Sequence, residues 1–200
     1  MTDRYDTTGN PEDEYYPETS VLINLEDIRD PEELLERETE LQLVAYEEIF
    51  SSFDEGLTPA LPFFYHLHHM MFGPLFVWAG RPRTVGISKG HTPFCPPQNI
   101  APMMHTIFVE LERERWLDGF ELDTFIERAA YYICEINAVH PFREGNGRVI
   151  RFYIDVLSAR TRGDIFDWTQ SSADEYLQAC RAGFQQDYKW MMTVLKRCVV

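Results

Sequence analysis

Apolar side chains recur with a helical period along most of the chain. Leu122, Phe125, Ile126, Ala129, Ile133 and Ile136 keep the i, i+3, i+4 rhythm and predict a helix over Leu122–Val139. Asp30-Pro31-Glu32-Glu33 carries the marks of a helix start: a capping Asp, proline at the first helical position, then acids against the positive helix end. Leu34, Leu35, Leu41, Leu43, Val44 and Ile49 supply the apolar face of that helix to about residue 50, and Gly56 closes the stretch. Further helices are predicted at about 58–71, 98–116 and 173–196, and one should start at about Asn146. Between 73 and 97 glycine, proline and β-branched residues mix and the helical period is lost. There the run from Arg83 to Ser88 reads as a short strand, Lys89-Gly90-His91 as a turn and Thr92-Pro93-Phe94 as a return leg. With almost no other strands to pair with, such a hairpin should present an exposed edge that waits for a partner. The expected fold class is all-α, mainly helical, with a single β-hairpin. Residues 1–15 read as a flexible lead-in and 16–200 as one domain with its core at about 57–165.

Composition narrows the class. The 200 residues are 44% hydrophobic and 14% aromatic, enough to bury a core, which excludes wholesale disorder. Eighteen basic against 33 acidic residues give a net charge of −15, so the overall field repels nucleic acid and anionic membranes and leaves room only for a local basic pocket. No apolar run approaches a membrane span, and the polar start MTDRYDTTGN is unlike a signal peptide. Cys95, Cys134, Cys180 and Cys198 are scattered, with no CxxC pair and no zinc spacing, and read as reduced thiols of a cytoplasmic protein.

The chemistry is concentrated in His140-Pro141-Phe142-Arg143-Glu144-Gly145-Asn146-Gly147-Arg148-Val149-Ile150-Arg151. Pro141 stops the preceding helix just after His140, and Phe142 is an apolar anchor for the loop. Gly145 and Gly147 flank Asn146, so the backbone can turn tightly and aim successive N–H groups at an anion, with the positive end of the next helix behind them. Arg148 and Arg151, three apart on the first turns of that helix, can hold further phosphate oxygens. Glu144 is the lone carboxylate at the rim and suits a Mg²⁺ shared with bound phosphates. His140, with an ordinary titration near neutral pH, is a candidate general base whose protonation should show between about pH 5 and 8. Even eight of these nine specified residues, at average usages of about 5% each, meet by chance on the order of 10⁻¹⁰ per starting position, so an ordinary helix–loop–helix turn is a poor account of them.

This segment resembles the signature of the Fic family, HPFx[D/E]GNGRxxR, at every specified position. Tyr16-Pro17, Val21-Leu22-Ile23-Asn24 and Ile28-Arg29-Asp30-Pro31 are similar to the family's N-terminal segment. Leu67-His68, Phe72-Gly73, Trp78-Ala79-Gly80, Arg83-Thr84-Val85 and Thr92-Pro93-Phe94 are similar to its core helix and flap. The resemblance covers about residues 16–190. It implies a mostly helical enzyme that moves AMP from ATP, with Mg²⁺, onto a hydroxyl side chain of a target protein. In that reading His140 deprotonates the target Ser, Thr or Tyr, and Glu144 holds Mg²⁺ between the α- and β-phosphates. Gly145, Asn146 and Gly147 form the anion hole, Arg148 and Arg151 hold the β- and γ-phosphates, and Phe142 anchors the loop. The hairpin becomes a flap, Thr84, Val85, Gly86, Ile87, Ser88, Lys89 and Gly90, that clamps the target by strand addition. A branch of the family that transfers the γ-phosphate carries Lys where Gly147 stands, so glycine points to AMP transfer. The alternatives are a family transferase using another nucleotide donor and a non-catalytic nucleotide-binding or interaction module, for which His140 would have no use.

Family members silence themselves with a helix of the form [S/T]xxxE[G/N], whose Glu pairs with the second motif arginine, here Arg151. Ser51-Ser52-Phe53-Asp54-Glu55-Gly56 matches that short pattern, though a capped helix end explains it as well. The resemblance instead favours a small antitoxin that supplies the inhibitory Glu in trans. Such pairs are bacterial toxin–antitoxin Fic proteins, whose targets include the ATPase subunits of type II topoisomerases. His66, His68 and His69 do not make a metal cluster at helical spacing, with no acid or cysteine nearby to complete one, and read as packing or surface residues. Trp78, Phe94, Trp116 and the Met103-Met104 pair read as core or flap supports.

Overall fold

A computed structural model of the chain describes residues 6–7, 15–51, 57–89 and 92–200. Most of the lead-in, the residues from Ser52 to Gly56 with the candidate inhibitory Glu55, and Gly90-His91 of the flap lie outside them. The described residues form seven α-helices, α1 (Pro31–Ser51), α2 (Leu61–Phe72), α3 (Pro97–Arg113), α4 (Leu122–Val139), α5 (Asn146–Arg162), α6 (Ala173–Gly183) and α7 (Lys189–Cys198). The three short strands β1 (Asp6–Thr7), β2 (Ile87–Lys89) and β3 (Thr92–Pro93) form one antiparallel sheet in the order β1-β2-β3.

Local chemistry sets the helix starts. The Asp30 carboxylate accepts from the backbone N–H groups of Glu32 and Glu33 at 2.9 and 3.0 Å, which satisfies the orphan donors of α1. Ser172 and Glu175 cap α6 reciprocally. At the centre α4 packs against α3, α5, α6 and α7, while α5 also meets α2. Phe125, Ile126, Ala129, Ile133 and Ile136 of α4 and Val149, Ile150, Phe152, Tyr153 and Ile154 of α5 are all buried. Each large side chain so removed from water contributes about 1.5–3 kcal/mol. The rigid pair of α4 and α5 thus carries the loop in which the chemistry is concentrated.

Six local expectations shift, the first in α1, whose buried stripe is Leu34, Glu38, Leu41 and Ala45 while Leu35, Leu43 and Val44 of the expected apolar face stand exposed. The helix predicted over 173–196 breaks between α6 and α7. Gly183 meets α4 so closely that a Cβ there would lie 2.5 Å from the Cys134 sulfur, and Gln186 then turns the chain with φ 62°. The helix expected to reach residue 116 stops at Arg113, because Arg115, Trp116 and Leu117 take left-handed backbone that swings Trp116 and Leu117 into the core. Met104 is fully buried, but its neighbour Met103 is 44% exposed, one residue around the helix. The flap strand begins at Ile87 instead of Arg83, leaving Thr84, Val85 and Gly86 as connecting backbone. Nor is the outer edge of that strand open: Asp6 pairs with Ser88 and Thr7 with Ile87.

Candidate active site

His140 is the C-cap of α4 and holds a left-handed backbone (φ 51°, ψ 63°), its N–H donating to Ile136 O at 2.9 Å. Pro141 then turns the chain away. The ring Nδ1 lies 3.1 Å from Asn137 O, and a carbonyl only accepts, so Nδ1 carries the proton and Nε2 is the lone-pair nitrogen. Phe94 stacks on the imidazole at 3.8 Å and 20°. His140 is 5% exposed, and burial drives its pKa down to about 3, helped by the Arg83 and Lys89 charges. The imidazole is therefore held neutral, ready to accept a proton.

Phe142 is fully buried against the edge of Tyr65, the tilted ring of Phe64 and the stacked imidazole of His68 (3.7 Å, 16°). The Asn146 side chain closes the loop on the backbone of the same residue: Phe142 N–H donates to its Oδ1 and its Nδ2 donates to Phe142 O, both at 2.9 Å. Only the main chain of Asn146 is then left to face a ligand. Gly145 sits at φ 78°, and a Cβ on it would lie 2.5 Å from the Phe72 ring, so both conformation and space demand glycine. At Gly147 a Cβ would meet nothing within 4 Å. The fold places no demand for glycine there, and the space in front of it is open.

Glu144 is partly exposed at the rim, its Oε1 accepting from Gly145 N–H at 2.8 Å and lying 3.7 Å from Arg148 Nη2. Arg148 itself is gripped from α1. Its Nη1 is 2.5 Å from Oε2 of Glu38, a carboxylate only 6% exposed, and its guanidinium lies over the Phe72 ring. Burial pushes the Glu38 carboxyl up, against the pull of the Arg148 charge. Arg151 makes no ion pair or hydrogen bond among the described residues; its guanidinium lies over the rings of Tyr176 (5.2 Å) and Trp168 (6.0 Å). Both arginines line a cleft of about 520 Å³ between α1, α5 and residues 165–169. At its wall the buried Asp155 accepts from Tyr46 Oη (2.8 Å), Trp168 Nε1 (2.9 Å) and Phe166 N–H (3.1 Å), and burial raises its carboxyl to about 6.

Several residues of the site have no place in the loop motif. His68 accepts from Gly80 N–H at Nδ1 (2.9 Å), which fixes Nε2 as the donor to Glu144 O (3.0 Å) and ties the flap approach to the loop. Burial lowers its pKa to about 3, so it is a neutral strut. His66 and His69 are exposed on other faces of α2, and among the described residues no group of three or more His, Cys, Asp or Glu could hold a metal. Arg143, the unspecified position of the motif, donates to Tyr15 Oη at 2.7 Å and docks the start of the described chain onto the loop.

The likeness in sequence extends well past this loop. The Fic/DOC family profile matches residues 60–158. Protein adenylyltransferase VbhT of Bartonella schoenbuchensis is 32% identical over 97% of this chain, which spans 40% of that protein's length. The probable protein adenylyltransferase Fic of Escherichia coli is 30% identical over 100% of this chain and 96% of its own. Among solved structures, BepC of Bartonella tribocorum, determined with bound AMPPNP, superposes with a TM-score of 0.80 at 22% identity, over 92% of this chain and 95% of that one, and so shares the fold. With sequence likeness along the whole chain, a shared fold and every specified motif residue present, the chain belongs to the Fic/DOC family.

Proposed function

We propose that this chain is a protein adenylyltransferase that moves AMP from ATP to a Ser, Thr or Tyr hydroxyl of a target protein. The observation that carries the reading is a buried, neutral His140 with Nε2 as its acceptor, four residues from a glycine-built anion cradle and two arginines. The target hydroxyl donates its proton to His140 Nε2 as its oxygen attacks the α-phosphorus. The bond from that phosphorus to the β-phosphate oxygen breaks, and pyrophosphate leaves. Backbone N–H groups of Asn146 and Gly147, that of Gly145 once it leaves the Glu144 carboxylate, and the guanidinium groups of Arg148 and Arg151 take up the phosphate charge. Phe142 fixes the loop that presents them. Relatives named as adenylyltransferases and the AMPPNP held by BepC support the donor.

Mg²⁺ fits this site. It keeps most of its waters and needs one or two carboxylates beside substrate phosphates, and Glu144 is partly exposed at the cradle's rim. When bound there it would neutralise phosphate charge as pyrophosphate forms.

The flap, Thr84 to Gly90, receives the target as an added strand; since Asp6–Thr7 covers the β2 edge, the target displaces that pair. The cleft beside Arg151 suits a second partner, a small antitoxin. Exposed Leu43 and Ile165 at its wall fit an apolar helix face, and Arg151, with no ion pair among the described residues, fits the Glu of that helix. The chain is then the toxin of a bacterial pair, with type II topoisomerase ATPase subunits as a target class. Four free thiols accord with a cytoplasmic setting, and no described helix is long and apolar enough to cross a membrane.

The test is a lysate incubated with Mg²⁺, the purified chain and ATP labelled on either the α- or the γ-phosphate. Protein labelled only from the α-position is expected; label only from the γ-position would replace the reading with phosphoryl transfer. The two glycines add a sharper expectation. Gly147→Ala should fold at least as well as the parent, gaining up to about 1 kcal/mol of helix propensity, yet bind ATP on the order of tenfold more weakly, because the methyl enters the open cradle. Gly145→Ala should lose roughly 2–5 kcal/mol of stability from left-handed strain and collision with Phe72. Thermal unfolding and calorimetry with ATP measure both; a Gly147→Ala chain that binds ATP like the parent would take residue 147 out of the cradle.

A further inference from the structure

Arg83 is 5% exposed, and its guanidinium donates to four backbone carbonyls drawn from three segments. Nε reaches His140 O at 2.8 Å, and Nη2 reaches Val139 O at 3.2 Å and Cys95 O at 2.6 Å. Nη1 reaches Val85 O at 2.7 Å. Val85 and Cys95 are the two roots of the flap, and Val139 and His140 are the C-terminal end of α4, where unpaired carbonyls and the negative helix end favour a cation. The backbone N–H of Arg83 donates in addition to Pro141 O at 2.8 Å, and Cys95 N–H reaches Ala138 O at 3.4 Å. One planar side chain thus spans the outgoing leg, the return leg and the left-handed residue that carries the base.

We propose that Arg83 is a positioning residue for the transfer step, holding the two flap roots and the His140 backbone in one fixed relation. The inference rests on the adenylyltransferase reading and adds to it the element that aligns base and acceptor. A hydroxyl delivered by the flap must meet His140 Nε2 and the α-phosphorus together, and these belong to different segments. Arg83 is where the segments are joined. Lysine cannot replace it, because an ammonium on a flexible stem has no fixed fork with which to reach carbonyls on both legs and the helix end. The carbonyls it holds lie at the two flap roots and at the end of α4, ahead of the phosphate cradle at 144–151 in the chain, so nucleotide binding and transfer should separate.

The experiment uses the full chain with Arg83→Lys and Arg83→Gln, read by thermal unfolding, by calorimetry with a non-hydrolysable ATP analogue, and by label transferred from α-labelled ATP to the lysate protein that the wild type labels. Analogue affinity should stay near the wild-type value, while transfer at saturating ATP falls roughly 100-fold in Arg83→Gln and about tenfold in Arg83→Lys, as expected of reacting groups displaced by about 1 Å. A folded variant that transfers within about threefold of wild type overturns the proposal. So does analogue binding that weakens in step with transfer, or an Arg83→Lys chain that does not fold, since either makes Arg83 a fold residue only. If the wild type transfers nothing, the adenylyltransferase reading fails by itself. Amide exchange then decides the Arg83 assignment: faster exchange across 84–89 in the variants sustains the joint, and unchanged exchange overturns it.

Discussion

His140→Ala is expected to reduce AMP transfer by a factor of about 10²–10⁴, the range lost when a positioned general base is removed, and to leave ATP affinity near the wild-type value. The ring stacks on Phe94 and its Nδ1 donates to Asn137 O, which leaves Nε2 for the proton of the acceptor hydroxyl, so the substitution should act on the chemical step. A parallel fall in nucleotide binding would make His140 a ligand contact instead of a base. The pH dependence is unusual for a histidine enzyme. Burial, with the Arg83 and Lys89 charges, moves the imidazole from its ordinary value near 6.5 down to about 3, so the free enzyme holds the basic form throughout pH 5–8. The acid limb of kcat/KM should therefore lie far below pH 5, and the profile should be flat where an unperturbed histidine would titrate. Bound polyphosphate favours the imidazolium and raises its pKa in the complex, so the acid limb of kcat should lie at higher pH than that of kcat/KM. A kcat/KM that halves near pH 6.5 would show that the flap opens and hydrates His140 before the target binds.

How far the site was legible in the sequence depends on distance along the chain. Every motif residue from His140 to Arg151 lies within twelve positions, and proline, glycine and helix signals dictate its local shape, so the loop is readable without its surroundings. The residues that hold it come from elsewhere. Glu38 lies 110 positions from Arg148 in a helix studded with exposed acids, among which residue type does not set it apart. One signal was available: with Leu34, Leu41 and Ala45 it occupies the buried stripe of α1, where an unpaired acid is costly. Asp155 is likewise the lone acid in the apolar run from Phe152 to Leu157, and His68 a buried imidazole on an apolar helix. A charge at a core position predicts a partner but not its identity, because the partner is chosen by packing. The β1–β2 pairing is of the same kind, two residues long and 80 positions apart, with no local pattern to reveal it. In the sequence Arg83 reads as the start of a strand, since its four carbonyl partners come together only once the flap roots meet the end of α4.

The Glu38–Arg148 pair sets the second large expectation, in which its two halves act in opposite directions. Arg148→Met strips the partner from a carboxylate that is 6% exposed and leaves a buried charge uncompensated, at a cost of about 3–5 kcal/mol. In the proposed adenylyltransferase reading it also removes a phosphate contact, so stability and ATP affinity should fall together. Glu38→Gln keeps the shape of the side chain and one acceptor for Arg148, but it removes a negative charge from behind the cradle. A negative charge directly behind the arginine that meets the phosphate opposes binding, so without it ATP should bind more tightly, on the order of tenfold. Arg148 would still be oriented by the face of Phe72 and by Glu144 at 3.7 Å. Calorimetry with ATP separates two physical roles for Glu38. Tighter binding in Glu38→Gln means that the carboxylate moderates the charge of the arginine. Weaker binding means that its geometry, more than its charge, makes Arg148 competent, and that a neutral amide is too weak a tether for a guanidinium facing a polyphosphate.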